Sequence, residues 1–517
     1  MKPGVFRHAL QLVVLIALAA CASIDLEYPR TESFALPPTE TADTRLGTAL
    51  QHVAGSYPRG QSGFYLLSDG IEALAARLVM AENAERSIDA QYYLIKDDLT
   101  GNAFVKALLD AADRGVRVRL LIDDMFTKGH DAGIAALDTH PNFEIRIFNP
   151  FARRNLRALD AIGGFSRINR RMHNKSYTVD NQVTVVGGRN IADEYFGARS
   201  DSKFGDLDVI GIGSFVPDVS AMFDEYWNHS TAIPVPGFAD MPDDPTALLP
   251  AVRERLTRVR DDALDSPYAE AVRARALSIL DRDWSEYTWA PYRMVVDSPD
   301  KGIKKRAAEA DSITTPLVAS LQSAQDEIWI VSPYFVPRKT GVQGLSEIKN
   351  RGVLVNVITN SLAANNQKTV HGGYAPSRKP LLQSGIRLYE IRADAWVQGA
   401  EIVAEDDARA TLHTKAFIVD RRQFFIGSFN FDPRSAYINT ELGVIIDSPK
   451  LAERVTQGVE AMLPHQAWEV YLDQNDKLRW RGLQDGQEVV LKKEPQTSGW
   501  DRFVAGFYRL LPIRGQL

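Results

Sequence analysis

The sequence predicts an α/β fold made of two duplicated halves, each a mixed β-sheet flanked by helices. The first observation is an alternation of helix and strand patterns: a helix from Gly70 to about Ala84, a strand at Ser87–Tyr93, a helix at Asn102–Asp113 and a strand at Val116–Asp123. Apolar runs such as VRVRLLID between helical patterns are typical of a sheet with parallel neighbours and helices on its faces. The second observation is that this order recurs in IWIVSPYF, Leu345–Asn350 and Leu354–Thr359.

The third observation is a pair of matching motifs, HNKSYTVDNQVTVVGGRN at residues 173–190 and TLHTKAFIVDRRQFFIGSFN at residues 411–430. Five positions that are polar or glycine agree without a gap, and the two copies are 240 positions apart. The matching residues are His173, Lys175, Asp180, Gly187 and Asn190 in the first copy, and His413, Lys415, Asp420, Gly427 and Asn430 in the second. Two copies with identical internal spacing indicate an internal duplication.

The second motif has the pattern of a β-hairpin. Two β-rich runs, Ala416–Val419 and Phe424–Ile426, flank the polar break 420–423. Since side chains alternate along a strand, His413 and Lys415 share a face, as do Ser428 and Asn430 on the returning strand. The hairpin therefore predicts that an imidazole, an ammonium, a hydroxyl and a carboxamide converge.

These groups suit the cleavage of a phosphodiester, which is a poor electrophile with an unstable alkoxide leaving group. One histidine can attack phosphorus while a second, protonated histidine donates to the leaving oxygen. The motif lysines and the side-chain amides of Asn190 and Asn430 can stabilise oxygens that gain charge in the transition state. Because each histidine is beside a lysine, and a cation does not help to bind a cation, we expect no metal and no cofactor.

Both motifs resemble the HxKxxxxD motif of the phospholipase D superfamily. The longer strings RRMHNKSYTVD, VVGGRNIADEYFG and GDLDVIGIG resemble bacterial cardiolipin synthases of the type C branch. The resemblance implies pseudo-twofold symmetry, with one active site shared by the two halves. It also implies a phosphohistidine intermediate, with His173 as nucleophile and His413 as general acid and then base.

The resemblance assigns further site residues. It implies that Glu441 contacts His413 and that Asp208, within DLDV, is the corresponding acid of the first half. We interpret Asp180 and Asp420, at the turns, as structural groups that bind backbone N–H groups.

One position departs from the repeat. The first copy has Gly188 where the second has Ser428, so one hydroxyl donor is missing. The two halves are therefore not equivalent.

The predicted function is that of a membrane-associated phosphatidyltransferase acting on phospholipids such as phosphatidylglycerol and phosphatidylethanolamine. A phosphatidyl group on His173 gives phosphatidic acid with water and cardiolipin with phosphatidylglycerol, and the sequence leaves the acceptor open. Three alternatives remain: a phospholipase D hydrolase, an exported nuclease of the same superfamily, and an inactive lipid-binding envelope protein. The net charge of −6 and pI near 5.9 provide no overall basic field, so we expect no nucleic-acid partner.

The N-terminus has the pattern of a lipoprotein signal peptide. Residues 1–20 contain Lys2 and Arg7, then the apolar run Ala9–Leu18, which is too short to span a bilayer. LAAC, ending at Cys21, resembles the bacterial lipobox, in which the cysteine is lipidated. Because Ala22 and Ser23 lack the aspartate that retains lipoproteins at the inner membrane, we expect a lipid-anchored envelope protein, with the outer membrane facing the periplasm favoured.

The predicted organisation has six parts. They are a signal peptide at 1–20, a tether at 21–60, a first half at 61–232, a linker with connecting helices at 233–290, a second half at 291–470, and a C-terminal extension at 471–517.

Two surfaces outside the motifs have more than one interpretation. The stretch 149–175 is rich in arginine and could attract anionic head groups or form ordinary ion pairs; its cations are Arg153, Arg154, Arg157, Arg167, Arg170, Arg171 and Lys175. The extension carries an apolar stripe at helical spacing that includes Trp500, Phe503 and Phe507. That stripe can dock on the body of the protein or lie on a bilayer.

Overall fold

The computed structural model describes residues 24–510 apart from 55–56, 59, 240, 304–311, 406 and 485. Cys21 and the predicted signal peptide lie outside the described residues. Within the described part of the chain, none of the helices has both the length and the apolar composition needed to cross a membrane.

The first half alternates strands and helices as predicted. Its strands are β1 (Gln61–Leu67), β2 (Ser87–Tyr92), β3 (Arg117–Asp123), β4 (Phe143–Phe148), β5 (Ser176–Val179), β6 (Val183–Gly187), β7 (Ser202–Gly205), β8 (Asp208–Gly213) and β9 (Ala232–Pro234). Its helices, with those that follow it, are α1 (Arg45–Ala54), α2 (Gly70–Glu82), α3 (Leu99–Asp113), α4 (Asp131–Asp138), α5 (Ala161–Ile168), α6 (Phe215–Asn228), α7 (Pro245–Ala263) and α8 (Pro267–Leu280). Asp69 and Asp98 begin α2 and α3 by accepting hydrogen bonds from first-turn N–H groups.

The second half repeats this plan. Its strands are β10 (Thr288–Val296), β11 (Glu327–Val331), β12 (Leu354–Asn360), β13 (Arg387–Ile391), β14 (Arg409–Leu412), β15 (Ala416–Val419), β16 (Gln423–Gly427), β17 (Leu442–Asp447), β18 (Ala467–Leu472), β19 (Leu478–Gln484) and β20 (Gln487–Leu491). Its helices are α9 (Thr314–Gln322), α10 (Arg338–Asn350), α11 (Lys368–Tyr374), α12 (Arg378–Gln383), α13 (Pro433–Tyr437), α14 (Pro449–Gln466) and α15 (Gly499–Leu510).

The strand pairings confirm a mixed sheet in each half. The strands β2, β3 and β4 are parallel neighbours, and so are β11, β12 and β13. Each motif forms the predicted antiparallel hairpin, β5 with β6 and β15 with β16. The long strand β10 pairs with β1 of the first half and with β17 of the second, so one continuous sheet runs through both halves. This continuity fixes the position of one motif relative to the other.

Residues 24–54 do not form the tether that their composition predicts. The backbone carbonyl of Ser33 accepts a hydrogen bond from Arg119, and its hydroxyl accepts one from Trp227. Leu26 and Tyr28 pack against the core of the first half. The segment lies on the first half because its few apolar side chains and its backbone carbonyls find partners there.

Two other predicted boundaries also differ from the structure. Helices α7 and α8, expected to connect the halves, pack on α2, α3 and α4 and so belong with the first half. The extension after residue 470 contributes β19 and β20 to the sheet of the second half before α15 begins. In both places the segments bury apolar surface that a free linker would leave in water.

Candidate active site

The two motif histidines precede their hairpins, and the opposite half holds the backbone of each. The backbone N–H of His173 donates to the carbonyl of Thr440 at 2.9 Å, and that of His413 donates to the carbonyl of Gly205 at 2.7 Å. Met172 also forms an isolated bridge with Thr440. The motifs of the two halves therefore meet at one place between them.

The side chain of His173 is paired with Glu441 of the second half. Its Nδ1 lies 2.8 Å from Oε2 of this buried carboxylate. Ser428 donates to the same oxygen at 2.5 Å, and Ser435 donates to Oε1 at 2.8 Å. Both oxygens of Glu441 are thus held in place, which fixes the orientation of the imidazole.

The mirror pair joins His413 to Asp206 of the first half. Nδ1 of His413 lies 2.5 Å from Oδ2 of this buried carboxylate. In this pair the position that corresponds to Ser428 is Gly188. A Cβ added to Gly188 would lie 2.3 Å from Oδ1 of Asp206. The carboxylate occupies the space that a serine side chain would need, which explains why the first copy lacks the hydroxyl.

These pairs correct two expected contacts. Glu441 contacts His173 rather than His413, and the corresponding acid of the first half is Asp206, which contacts His413, rather than Asp208. The strand register explains the error, because Gly187 pairs with Asp208 just as Gly427 pairs with Gly443. The counterpart of Glu441, two residues before Gly443, is therefore Asp206. Placing DLDV over ELGV without a gap would have shown this from the sequence.

Asp208 has a different set of partners. Its carboxylate accepts a hydrogen bond from Arg77 at 2.8 Å and one from the backbone N–H of Arg189 at 3.1 Å. Arg77 is also buried, and it donates to the hydroxyl of Tyr92 at 3.0 Å. These contacts form a buried ion pair beneath the site.

The lysines lie against the histidines of their own motifs. Nζ of Lys175 donates to the carbonyl oxygen of His173 at 2.6 Å. Nζ of Lys415 contacts the carbonyl of His413 and lies 2.7 Å from Nδ1 and 3.2 Å from Nε2 of the same residue. Both ammonium groups are buried, so their charge acts at short range and with little screening by water.

The motif asparagines are equally buried. The side-chain amide of Asn190 donates to the hydroxyl of Tyr195 at 3.0 Å, and the backbone N–H of Asn430 donates to Ser435 at 3.2 Å. In both residues Oδ1 is buried and has no partner among the described residues. The same hydrogen-bonding capacity is thus unused in both copies, as expected for groups that await a ligand.

Burial dominates the electrostatics of the histidines. It lowers the pKa of His173 to about 4, against the opposing effect of Glu441, and it lowers the pKa of His413 to about 3, with Lys415 acting in the same direction. Both imidazoles are therefore neutral near pH 7. The carboxylate beside Nδ1 favours, in each ring, the tautomer with the proton on Nδ1 and the lone pair on Nε2.

The charged neighbours are shifted too. Burial lowers the pKa of Lys415 to about 8 and holds that of Lys175 well below its usual range. Burial alone would raise the pKa values of Asp206 and Glu441, but the adjacent histidines and lysines hold both below their usual range. Both carboxylates are therefore ionised at neutral pH.

Aromatic rings surround the histidines, and sequence reasoning missed them. The ring of Tyr93 lies edge-on to His173 with centroids 5.1 Å apart, and Tyr195 lies edge-on to His413 at 5.0 Å. Phe204 stacks on His413 at 5.6 Å. The available signals were the position of Tyr93 directly after β2 and that of Tyr195 five residues after Asn190.

Asp180 and Asp420 lie at the hairpin turns with positive φ, away from the histidines. Asp180 accepts hydrogen bonds from the backbone N–H groups of residues 85–87, and Asp420 accepts them from those of residues 325–327. Each carboxylate therefore ties its hairpin to the start of a parallel strand.

The charge of one carboxylate and of both motif lysines acts on each imidazole. The described residues contain no group of three or more histidine, cysteine, aspartate or glutamate side chains positioned to hold a metal ion.

The arginine-rich stretch before His173 is largely occupied by ion pairs. Arg154 and Arg157 bind Asp124, Arg153 binds Asp160, and Arg171 lies 3.3 Å from Asp123. Of the two interpretations of this stretch, ordinary ion pairing describes these four arginines.

The comparisons with known proteins agree with this geometry. Residues 78–227 and 317–463 match the family described as "Cardiolipin synthase, PLD-like domain". Cardiolipin synthase C of Escherichia coli (strain K12) is 40% identical over 482 residues, which cover 91% of this chain and 99% of that protein. An uncharacterized protein of Helicobacter pylori (strain ATCC 700392 / 26695) is 31% identical over 474 residues, or 88% of this chain and 89% of that protein.

A solved structure shares the fold. The phosphatidylserine synthase of Haemophilus influenzae Rd KW20 superimposes with a TM-score of 0.54 at 13% identity, covering 82% of this chain and 92% of that one.

Proposed function

Because this chain belongs to the cardiolipin synthase family with phospholipase D-like domains, we propose that it is a membrane-associated phosphatidyltransferase that works through a phosphohistidine on His173. The observation that carries the proposal is the crossed pairing of His173 with Glu441 and of His413 with Asp206. It brings two neutral imidazoles, each with an oriented Nδ1 proton, to one site with two buried ammonium groups.

In the first half-reaction Nε2 of His173 attacks the phosphorus of a phospholipid. The N–P bond forms, the bond from phosphorus to the headgroup oxygen breaks, and His413 gives a proton to that oxygen. The pKa of His413 is low in the free protein, but an incoming phosphate anion favours the protonated imidazole. Asp206 then stabilises the imidazolium, and Glu441 keeps the Nδ1 proton of His173 in place.

The lysines and asparagines stabilise the charge that develops on the phosphoryl oxygens. Enzymes lower barriers of this kind by about 8–23 kcal/mol, and preorganised donors supply a large part of it. Lys175 and Lys415 approach from the two motifs, so the phosphoryl group lies between two cations. The Oδ1 atoms of Asn190 and Asn430, which have no partner among the described residues, can only accept hydrogen bonds, so they suit a protonated group of the substrate such as a hydroxyl.

In the second half-reaction neutral His413 takes a proton from an acceptor hydroxyl. The acceptor oxygen bonds to phosphorus, the N–P bond breaks, and His173 returns to its resting state. Water as acceptor gives phosphatidic acid, whereas the hydroxyl of phosphatidylglycerol gives cardiolipin. We propose the second outcome, which is supported by the 40% identity to a cardiolipin synthase.

His173 is assigned as the nucleophile because its Nε2 has no hydrogen-bond partner among the described residues. The equivalent atom of His413 lies 3.2 Å from the ammonium of Lys415. A nitrogen that is to attack phosphorus needs an unengaged lone pair. Trapping of the intermediate and peptide mapping test the assignment, and phosphohistidine found only at residue 413 would reverse it.

The decisive experiment supplies mixed phosphatidylethanolamine and phosphatidylglycerol vesicles and identifies the products by lipid mass spectrometry. Cardiolipin supports the proposal, and phosphatidic acid alone indicates a hydrolase. Cleavage of DNA or RNA without lipid turnover indicates a nuclease, and no turnover of any substrate indicates a lipid-binding protein. The variant His173→Asn is the matched control, because it keeps a polar side chain of similar size without the nucleophile.

For the location, we propose a lipid anchor on Cys21 that holds the protein to the bacterial envelope, with the outer membrane facing the periplasm favoured. The support is the LAAC string followed by Ala22 and Ser23. Replacement Cys21→Ser followed by membrane fractionation tests it. A variant that keeps its full membrane attachment and its original outer-membrane fraction would overturn the proposal.

A further inference from the structure

Three large apolar side chains are exposed on neighbouring segments of the first half. Phe126 is 47% exposed, Leu156 61% and Phe165 51%. Phe126 ends a short helical turn after β3, Leu156 lies in the loop after β4, and Phe165 belongs to α5. We call these three residues the apolar rim.

Ring contacts join the apolar rim to the active site. The ring of Phe126 lies edge-on to Tyr93 with centroids 5.4 Å apart, and Tyr93 lies edge-on to His173 at 5.1 Å. One aromatic residue thus separates an exposed phenyl ring from the proposed nucleophile. Phe126 thus places the apolar rim next to the site, on the side of His173.

The segments that carry the apolar rim are fastened to one another. Arg157, next to Leu156, donates to the carbonyls of Asp124 and Met125 at 2.6 and 3.1 Å. Arg167, in the helix of Phe165, donates to the carbonyl of Pro150 at 2.8 Å. Hydrogen bonds from Arg157 and Arg167 to backbone carbonyls thus hold the segments that carry these exposed apolar groups.

We propose that the apolar rim inserts into the surface of a phospholipid bilayer and places the site at the depth of the lipid phosphates. The inference rests on the proposed function, because a lipid with two acyl chains reaches His173 most readily where the site opens onto the bilayer. Exposed Lys128, two residues from Phe126, adds a cation suited to anionic head groups such as those of phosphatidylglycerol. Apolar anchors beside cations are typical of interfacial binding surfaces.

A second exposed aromatic face is the rival for this role. Trp500, Phe503 and Phe507 of α15 are 69%, 62% and 53% exposed. Helix α15 packs on α11, where Lys368 binds Asp501 at 2.6 Å. We favour the apolar rim over the aromatic face of α15, because Phe126 contacts Tyr93 and Tyr93 contacts the motif histidine His173.

The test measures binding of the full chain to vesicles of phosphatidylethanolamine and phosphatidylglycerol by sedimentation, in a Cys21→Ser background that removes any lipid anchor. The triple variant Phe126→Ser, Leu156→Ser, Phe165→Ser should lower the partition coefficient by at least about tenfold, since each side chain loses apolar burial. The comparator Trp500→Ser, Phe503→Ser, Phe507→Ser has similar exposure and should bind within about threefold of the parent chain. Failure of the parent chain to bind, unchanged binding of the rim variant, or loss only in the comparator would overturn the inference.

A second measurement guards against misfolding of the triple variant. Because Cys21 is the only cysteine, Leu156→Cys in the Cys21→Ser chain carries a single thiol for an environment-sensitive fluorophore. Brominated lipids should quench a label at position 156 and leave a label at Phe503→Cys largely unaffected. A label at 156 that is not quenched overturns the inference.

The same assay separates this inference from the proposed function. Binding requires no turnover, so His173→Asn should bind vesicles as the parent chain does. Rim-dependent binding without any lipid product would refute the phosphatidyltransferase and leave the interfacial surface standing.

Discussion

Oε2 of Glu441 lies 2.8 Å from Nδ1 of His173, although the two residues belong to different halves of the chain. Asp206 and His413 make the reciprocal contact at 2.5 Å. Each half thus supplies the carboxylate that orients the other half's imidazole. The orientation of each imidazole therefore depends on a residue of the other half.

Glu441→Gln should lower turnover of phospholipid vesicles by about 10²–10⁴-fold, because an amide no longer fixes the Nδ1 proton of His173 or stabilises charge on the ring. The measurement is the initial rate of lipid product formation, with the circular dichroism spectrum as a check on folding. Ser435→Ala, which removes one hydrogen bond to the same carboxylate, should cost far less. A Glu441→Gln rate within tenfold of the wild type would contradict this role.

Asp206→Asn should act on leaving-group protonation, because Asp206 supports the acid form of His413. The loss should be large for a lipid with an alkoxide leaving group and much smaller for a phosphodiester that releases p-nitrophenolate, which leaves without a proton. Rates of the first half-reaction on the two substrates give the comparison. Equal losses on both substrates would argue that Asp206 does not act through the acid.

Gly188→Ser should destabilise the protein and reduce activity, although it makes the first motif more like the second. The added Cβ would lie 2.3 Å from Oδ1 of Asp206, and overpacking of this kind costs about 1–3 kcal/mol. Denaturant unfolding and the rate of lipid turnover measure the two effects. The reciprocal change Ser428→Gly creates no clash and should affect activity more than stability, so the opposite ranking would refute the explanation.

Asp208→Ala should impair stability rather than a chemical step, because Asp208 pairs with Arg77 and not with a histidine. Breaking a buried ion pair by removing one partner costs about 3–5 kcal/mol. The free energy of unfolding measured in denaturant checks this value. Asp113→Ala, which breaks a half-exposed pair with Arg253, is the matched control and should cost about 0–1 kcal/mol. Similar losses in the two variants would contradict the prediction.

The contribution of the two motif histidines to stability should fall as the pH drops from about 6.5 toward 4. The pKa of each is lowered in the folded protein, to about 4 for His173 and about 3 for His413, so in this window these two positions bind more protons in the unfolded chain. Buried carboxyls such as Asp123 and Asp432, whose pKa values are raised to about 6 and about 7, act in the opposite direction, so the parent chain is compared with the double variant His173→Asn, His413→Asn. Denaturant unfolding at a series of pH values should show the stability of the parent chain falling relative to that of the variant between pH 6.5 and 4, and parallel curves would refute the buried, neutral imidazoles.

The repeat at His173 and His413 predicted the fold well, because identical spacing around two hairpins leaves little freedom in how each motif folds. The partners of the histidines were harder to predict. Asn190 and Asp206 are 16 residues apart, whereas Asn430 and Glu441 are 11 apart, so counting from the asparagine gives no common rule. The pairing of β6 with β8 and of β16 with β17 gives a common rule: in each half the acid lies two residues before the strand partner of Gly187 or Gly427. This rule depends on strand pairing and not on the length of the loop.

The sequence also could not predict that each acid contacts the histidine of the other half, because composition and periodicity describe each half alone. Contacts between the halves bring each acid to its ring: β7 pairs with β14 beside Asp206 and His413, and Met172 bridges Thr440 beside His173 and Glu441. Residues 24–54 illustrate a related limit: their prolines and polar residues suggest a free segment, yet Ser33 binds side chains almost 200 positions away.

The reciprocal carboxylates have a consequence for the origin of the molecule. A half released on its own would carry an imidazole without its acid and an acid without its imidazole, so it would regain both only by associating with another copy. Fusion of two such copies would have turned a concentration-dependent assembly into a permanent one. In a single chain the two copies need not be identical, and here they differ: a glycine makes room for Asp206, and a serine donates to Glu441.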